Sequence, residues 1–269
     1  MFGKGLFPSR HGGQWPLRGF MDISSVTLVA AAAFLFAGCV KGIAGIGLPT
    51  AAIAAMTLAI EPRIAISLIL FPMLGINGWQ WLRGGHVLRT IRRYKVFAIV
   101  LCIGVVVTSV LARDVDDRWL AGALGVAILI FVAVSWRGWL PPIRAEHDTL
   151  AQLGFATLAG GIGGLTAAWA APLGMYLSVR QVEKDEFIRA TGFLVAVGSV
   201  PLAVSYAQLG FLGGPLALTS ALMLIPALAG YAIGEKVRNR LSPAYFRNTI
   251  LLVFLILGLN LIRRAYFGA

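Results

Sequence analysis

The sequence predicts an all-α polytopic membrane protein of about eight apolar segments in two inverted repeats, the first segment of each repeat broken at a glycine-rich, proline-closed motif. Three observations carry this expectation. Hydrophobic residues make up 58% of the 269 positions and charged residues 13%, and the mean hydropathy is +0.83, a balance far from that of soluble domains. Apolar runs of about 20 residues, enough to cross a bilayer core, recur along nearly the whole chain. The glycine-rich motif occurs twice, with Gly38 and Gly160 at matching places 122 residues apart.

Residues 1–22 are rich in Gly, Pro and Arg and lack an apolar core with a cleavage site, so they read as a tail and not as a cleaved signal peptide. Met21, just before the first apolar run, is an alternative start. A first transmembrane repeat is expected over 23–140, with apolar segments at 26–60, 64–82, 96–112 and 120–136. A second is expected over 148–266, with segments at 150–177, 187–206, 216–233 and 249–262. The stretches 26–60 and 150–177 are longer than one untilted span needs. Each is expected to turn, the first at Gly47-Leu48-Pro49 and the second near Ala171-Pro172.

Inversion follows from the charges between segments. The stretch 83–95 carries Arg83, Arg89, Arg92, Arg93 and Lys95 with no acid, which retains it in the cytoplasm. Its counterpart, 207–215, has no charge. The next pair is reversed: 113–118 holds three Asp against two Arg, whereas 235–247 holds Lys236, Arg238, Arg240 and Arg247 against one Glu. An inverted half must cross an odd number of times, which four simple spans do not provide; a broken segment that crosses twice, or dips in and returns, resolves this. A plain eight-helix arrangement with parallel halves is the alternative, and the loop charges support it less well.

Glycine runs expose backbone that lipid cannot hydrogen-bond, so they persist only inside protein or beside a water-filled cavity. Paired breaks at matching places in two repeats point to a transporter's substrate site. Pro49 and Pro172 suit the first turn of a new half-helix, whose free N–H groups and positive dipole end favour an anion. The candidate substrate-binding residues are therefore Lys41, Gly45, Gly47 and Thr50 around the first break, Asn77 and Gln80 in the next span, and Gly163, Gly164, Thr166 and Trp169 around the second break.

Each has a structural alternative. Gly38 and Gly42 fit the small-xxx-small spacing of helix packing, as does Gly160. Gly45, Gly47, Gly163 and Gly164 cluster too tightly for one packing face. A helix from Ser25 puts Lys41 about 24 Å along it, where a lysine either lines a pocket or snorkels to the interface. Trp79 and Trp81 read as an interfacial belt beside the basic stretch.

No enzyme is expected. His11, His86 and His147 lie outside the apolar runs, no metal or nucleophile motif occurs, and no pair of acids shares a span. Cys39 and Cys102 show no disulfide or zinc spacing, and neither a metal nor another cofactor is expected. The net charge of +12 lies in short stretches between spans, so it favours the bilayer as partner over nucleic acid. With no acid deep in the membrane to relay protons, the membrane potential is the expected drive. It pushes anions outward, hence export.

Four stretches resemble the sulfite exporter TauE/SafE family of bacterial inner-membrane proteins: Ala37-Gly38 through Gly47; Leu158-Ala159-Gly160-Gly161-Ile162-Gly163-Gly164; Glu186-Phe187-Ile188-Arg189-Ala190-Thr191; and Gly230 to Ser242. The likeness runs over roughly 21–262. It implies a multi-pass inner-membrane transporter of sulfite, thiosulfate, sulfonates or related organic acids. Lys41 departs from the small residue expected there. An anion channel, or a membrane-embedded enzyme or assembly factor, is the alternative function, and a homo-oligomer is left open.

Overall fold

The computed structural model describes residues 23–137, 142–238 and 243–267. The expected tail at 1–22, and 239–242 at the end of the last family-like stretch, lie outside the described residues. The helices are α1 Ile23–Ala44, α2 Leu48–Met56, α3 Pro62–Arg83, α4 Val87–Leu111, α5 Asp117–Arg137, α6 Asp148–Thr166, α7 Ala170–Val179, α8 Lys184–Gln208, α9 Gly214–Leu222, α10 Leu224–Arg238 and α11 Pro243–Phe267. No strand occurs among the described residues.

Five stretches are long and apolar enough to cross a membrane: Thr27–Ala44, Pro62–Arg83, Val87–Asp114, Lys184–Gln208 and Gly214–Val237, with Arg118–Val134 shorter. The last long one joins α9 and α10. Only Met223 interrupts it, and the bonds Met223 N to Thr219 O and Ala227 N to Met223 O bridge the gap.

Both long segments are broken, as the sequence implies, and both turns fall a few residues before the places expected: 45–47 in the first, and 167–169 where a turn near Ala171-Pro172 was expected. α1 ends at Ala44 and α2 begins at Leu48, with Gly45 at φ 77° and Gly47 at φ 99°. Those left-handed conformations are why glycine stands at both positions. Pro49 occupies the first turn of α2, where a missing N–H costs nothing. In the second segment α6 runs unbroken through Gly160, Gly161, Gly163 and Gly164 to Thr166. The turn is made by Ala167, with φ 56°, through Trp169, ahead of Pro172. Helix interiors tolerate glycine at about 1 kcal/mol each, so packing outweighs propensity there.

Helix boundaries recur at the interval of the glycine motifs. The ends of α1 and α6 (44 and 166), the starts of α2 and α7 (48 and 170) and the starts of α3 and α8 (62 and 184) are each 122 residues apart. The same bond closes both leading helices: Gly45 N to Lys41 O at 2.7 Å and Ala167 N to Gly163 O at 2.8 Å.

Packing follows the small residues. α1 lies along α10 in the same direction, and the two backbones touch: a Cβ on Gly38 would be 2.3 Å from Ala227 O, on Gly42 2.3 Å from Tyr231 O, and on Gly234 2.3 Å from Cys39 O. Only glycine permits this approach, which van der Waals contact then rewards. α4 lies along α6 in the same way, with Gly104 on Gly160 and Thr108 Oγ1 donating to Gly160 O at 2.9 Å. Gly38, Gly42 and Gly160 are therefore packing glycines.

Other pairs run antiparallel. Gln80 near the end of α3 meets Ile188 and Thr191 near the start of α8, whereas Ser67 near the start of α3 bonds Phe211, just past the end of α8. Gly122 faces Ala265, and Gly125 faces Gly258 and Ile262, so α5 and α11 are likewise antiparallel.

The basic stretch is not a loop, because α3 runs to Arg83 and α4 begins at Val87. Its charges stand on the first turns of a helix that extends past the apolar run expected from 96. α4 bends at Tyr94, whose φ −107° and ψ 16° are non-helical. The amide of Gln152 fills the gap in the ladder: Phe97 N donates to its Oε1 at 3.0 Å, and its Nε2 donates to Arg93 O at 3.1 Å.

Candidate functional site

The elements around the first break gather several buried polar side chains: Lys41, Thr50, Asn77, Gln80 and Thr191. α1 delivers Lys41 one turn before the break, and its side chain is only 1% exposed. Its Nζ donates to Asn77 Oδ1 at 2.7 Å, and Asn77, 0% exposed, is oriented by its own Nδ2 donating to Met73 O at 2.7 Å. The amine thus points into the bundle toward α3. Snorkelling to the interface is excluded for this residue, because the contact that holds it is internal.

One turn along α3, Gln80 Nε2 donates to Ile188 O at 2.6 Å, to Thr191 Oγ1 at 3.2 Å and to Gly45 O at 3.3 Å. This amide therefore ties the first break to α8, while its Oε1 is buried without a hydrogen-bond partner. Thr50, in the first turn of α2, buries an Oγ1 that also lacks one. The ladder of α2 starts with Ala51 N to Gly47 O, so the Leu48 and Thr50 N–H groups precede it, as at any helix start.

The second break is built differently at equivalent positions. Gly163 stands where the first half has Lys41, and Trp169 where it has Gly47. The indole of Trp169 lies on Gly163, so that a Cβ there would be 2.2 Å from the ring. The large side chain has changed places with the glycine. Trp169 is buried and its Nε1 has no hydrogen-bond partner. Thr166 is committed to local structure, donating to Ile162 O at 2.7 Å and accepting from Ala168 N at 3.2 Å. Gly164 presses on Val105, Thr108 and Ser109 of α4, so its lack of a side chain serves packing. The two breaks approach each other: a Cβ on Gly174 of α7 would touch the Ile46 side chain at 3.8 Å.

Of the sequence candidates, Lys41, Gly45, Asn77 and Gln80 are linked by hydrogen bonds. Gly47 shapes the turn and Thr50 opens α2, whereas Gly163 and Trp169 form a separate stacked pair. The sequence reading missed Thr191 and Arg189 as site residues, although both lie in the family-like stretch 186–191. Thr191 is fully buried against Gln80. Arg189 lies over Gly84, with its Nε buried and lacking a hydrogen-bond partner. Trp81 was also misread: its ring packs at a tilt against Phe193, centroids 4.9 Å apart, while Trp79, 55% exposed, does face outward.

Three acids at this end are paired: Glu186, Asp148 and Glu235. Glu186 bonds Arg93 at 2.7 Å and the Tyr94 hydroxyl. Asp148 holds Arg180 Nε at 2.8 Å and accepts from Tyr176 Oη at 3.0 Å and Gln152 Nε2 at 3.1 Å. Glu235 meets Arg83 at 3.5 Å. No ion pair involves Lys41, and among the described residues no group of His, Cys, Asp and Glu could hold a metal. Chemically, the arrangement offers donors and a buried cation, which suit an anion.

In a comparison with protein families, the model described as Sulfite exporter TauE/SafE matches residues 30–261, from α1 into α11. Neither a curated protein nor a solved structure matches the chain.

Proposed function

The chain belongs to the sulfite exporter TauE/SafE family of membrane transporters, and from that premise we propose that it carries small sulfur-containing anions such as sulfite, thiosulfate or sulfonates out across the inner membrane. The observation that carries this reading is the buried Lys41 amine, which has one neutral acceptor and no carboxylate beside it. A charge so placed is costly unless a counter-charge joins it, and a substrate anion is that counter-charge. Asn77 orients the amine, Thr50 and the start of α2 offer further donors, and Gln80 with Thr191 fixes the break against α8. Trp169 is the donor from the second break.

The chain is two inverted halves, 23–140 and 148–266, in this reading. The recurrence of helix ends at 122 residues supports it, as does the antiparallel crossing of the matched helices α3 with α8 and α5 with α11. α1 ends beside Gln80, and α6 begins beside Arg93 of the adjoining helix start, so these equivalent helices run in opposite senses. Counting α1 and α2 separately gives each half an odd number of passes. The end rich in Arg and Lys, 83–95, is cytoplasmic, and the inside-negative potential drives anions away from it.

The test is flux of thiosulfate, sulfite and short sulfonates, with carboxylates for comparison, in proteoliposomes under a potassium–valinomycin potential. Saturable efflux along the potential is expected, and Lys41→Met raises the half-saturation concentration at least tenfold. Flux that never saturates would make the protein a channel. A normal curve for Lys41→Met would remove the anion from this site.

A further inference from the structure

Resting on that assignment of the anion to Lys41, we infer that Arg189 is a second anion-binding station: at the end of the bundle that carries 83–95, its guanidinium captures the sulfur anion from water before the anion passes to Lys41.

Arg189 stands near the start of α8, and its partly exposed side chain is laid over the end of α3. A Cβ on Gly84 would be 2.3 Å from Arg189 Cγ and 2.9 Å from its Cδ. Gly84 itself has φ −69° and ψ −10°, helical values open to any residue, so the backbone does not call for glycine there. The missing side chain makes room for the arginine stem. The guanidinium carried on that stem is uncommitted. Its Nε is buried without a hydrogen-bond partner, and among the described residues Arg189 makes neither a hydrogen bond nor an ion pair. The acids that precede it in the chain do not neutralise it: Glu186 is held by Arg93 and Tyr94, while Glu183 and Asp185 are exposed and outside ion-pair distance. A guanidinium stays charged, and its planar fork matches two oxygens of a sulfur oxyanion with paired N–H groups.

The two stations lie along one face of α3. Asn77, which holds the Lys41 amine, is followed by Gln80 and Gly84 at helical spacing, and the seven residues from Asn77 to Gly84 rise about 10 Å. Gln80, between them, bonds Ile188 O at 2.6 Å, and a Cβ on Gly45 would touch the Ile188 side chain at 3.4 Å. Arg189 thus directly follows the residue of α8 that meets the first break. The matched positions in the other half are built differently. At the interval of 122 residues, Ser67 stands for Arg189 and Tyr206 for Gly84. Ser67 Oγ is satisfied by the carbonyls of Arg63 at 3.0 Å and Phe211 at 2.9 Å, and Tyr206 is buried against the Phe211 ring. The cation near Ser67 is Arg63, which spends its guanidinium on Arg113 O, Val115 O and the face of Phe211. A free capture cation therefore stands at the basic end and has no counterpart at the matched place in the other half. That asymmetry suits uptake at the basic end and release at the other, the sense of export.

The test is protection of Arg189 by thiosulfate against phenylglyoxal, an arginine-modifying reagent, on the purified full chain in detergent at fixed ionic strength. Mass spectrometry of the digest follows Arg189 relative to Arg113, an exposed arginine beyond the far end of α4, which normalises for reagent consumed. Thiosulfate should slow the labelling of Arg189 saturably, by about fivefold or more, in wild type and in Lys41→Met alike. In proteoliposomes, Arg189→Gln should raise the half-saturation concentration for efflux about tenfold with the maximal rate kept, and Arg189→Lys should recover part of the loss. Gly84→Ala, which displaces the stem, should raise it as well and add nothing on top of Arg189→Gln. Should Arg189→Gln fail to fold, the labelling of wild type decides alone. Unchanged labelling of Arg189 at thiosulfate concentrations that saturate efflux would overturn the capture station and leave the Lys41 assignment intact. Protection that vanishes in Lys41→Met would also overturn it, because Arg189 would then be shielded by the loaded carrier and not by an anion of its own. A normal transport curve for Lys41→Met, with Arg189 still protected, would overturn the passage by removing the Lys41 assignment beneath it.

Discussion

Replacing Asn77 by Leu removes the acceptor that holds the Lys41 amine, with little change of volume. The structure sets the size of the effect. The bond is 2.7 Å long, and the residues are 1% and 0% exposed, so water cannot take the place of the lost partner. A buried donor left unpaired costs about 1–3 kcal/mol. Lys41→Met alone strips Asn77 Oδ1 of its donor at about 1 kcal/mol, offset by removing an amine from a dry interior. With both substitutions in place one apolar side chain faces another, which is close to neutral. The double variant should therefore be more stable than Asn77→Leu alone, with a coupling of about 2 kcal/mol. Reversible unfolding of the four proteins in mixed micelles, without anion, measures it. Additivity within about 0.5 kcal/mol would show that the contact contributes no energy and that the amine is held in some other way.

Three other outcomes follow from the packing and the orientation. Gly234→Leu drives a side chain into the Cys39 carbonyl and should abolish the α1–α10 pair and folded yield, whereas Gly154→Ala, which meets nothing within 4 Å, should leave yield intact and gain up to about 1 kcal/mol. Gln152→Leu leaves Phe97 N and Arg93 O without the partners that bridge the bend in α4, so stability should fall by roughly 2 kcal/mol or more, with hydrogen exchange at Phe97 accelerated; unchanged exchange would detach the bend from Gln152. In a background without Cys39 and Cys102, cysteines at Gly84 and Gly210 should react with an impermeant thiol reagent from opposite sides of the membrane, and reaction from one side only would refute the inverted arrangement.

Class, family and the approximate places of the helix breaks are legible in the residues alone. Apolar length and positive φ are local properties, written in runs of Leu, Ile and Val and in Gly45, Gly47 and Pro49, so the first turn was legible to within a residue or two. The interval of 122 residues was equally legible, because equivalent elements keep their spacing. The second turn, expected near Ala171-Pro172, lies only a few residues earlier at 167–169, but the role of its glycines was misread, because a glycine run reads the same whether it breaks a helix or admits a neighbour. Only the contact of Gly160 and Gly164 with α4 distinguishes the two. The same limit hid the role of Lys41, whose position along α1 fits an interface as well as an interior. Its rotation toward Asn77, 36 residues away in the chain, is settled by how α1 packs against α10 and α2. Gln152, bonded to the backbone of α4 at Phe97 and Arg93, has no sequence signal for the same reason. Periodicity and composition report what each segment prefers, whereas a buried polar group finds its partner only when distant segments close around it.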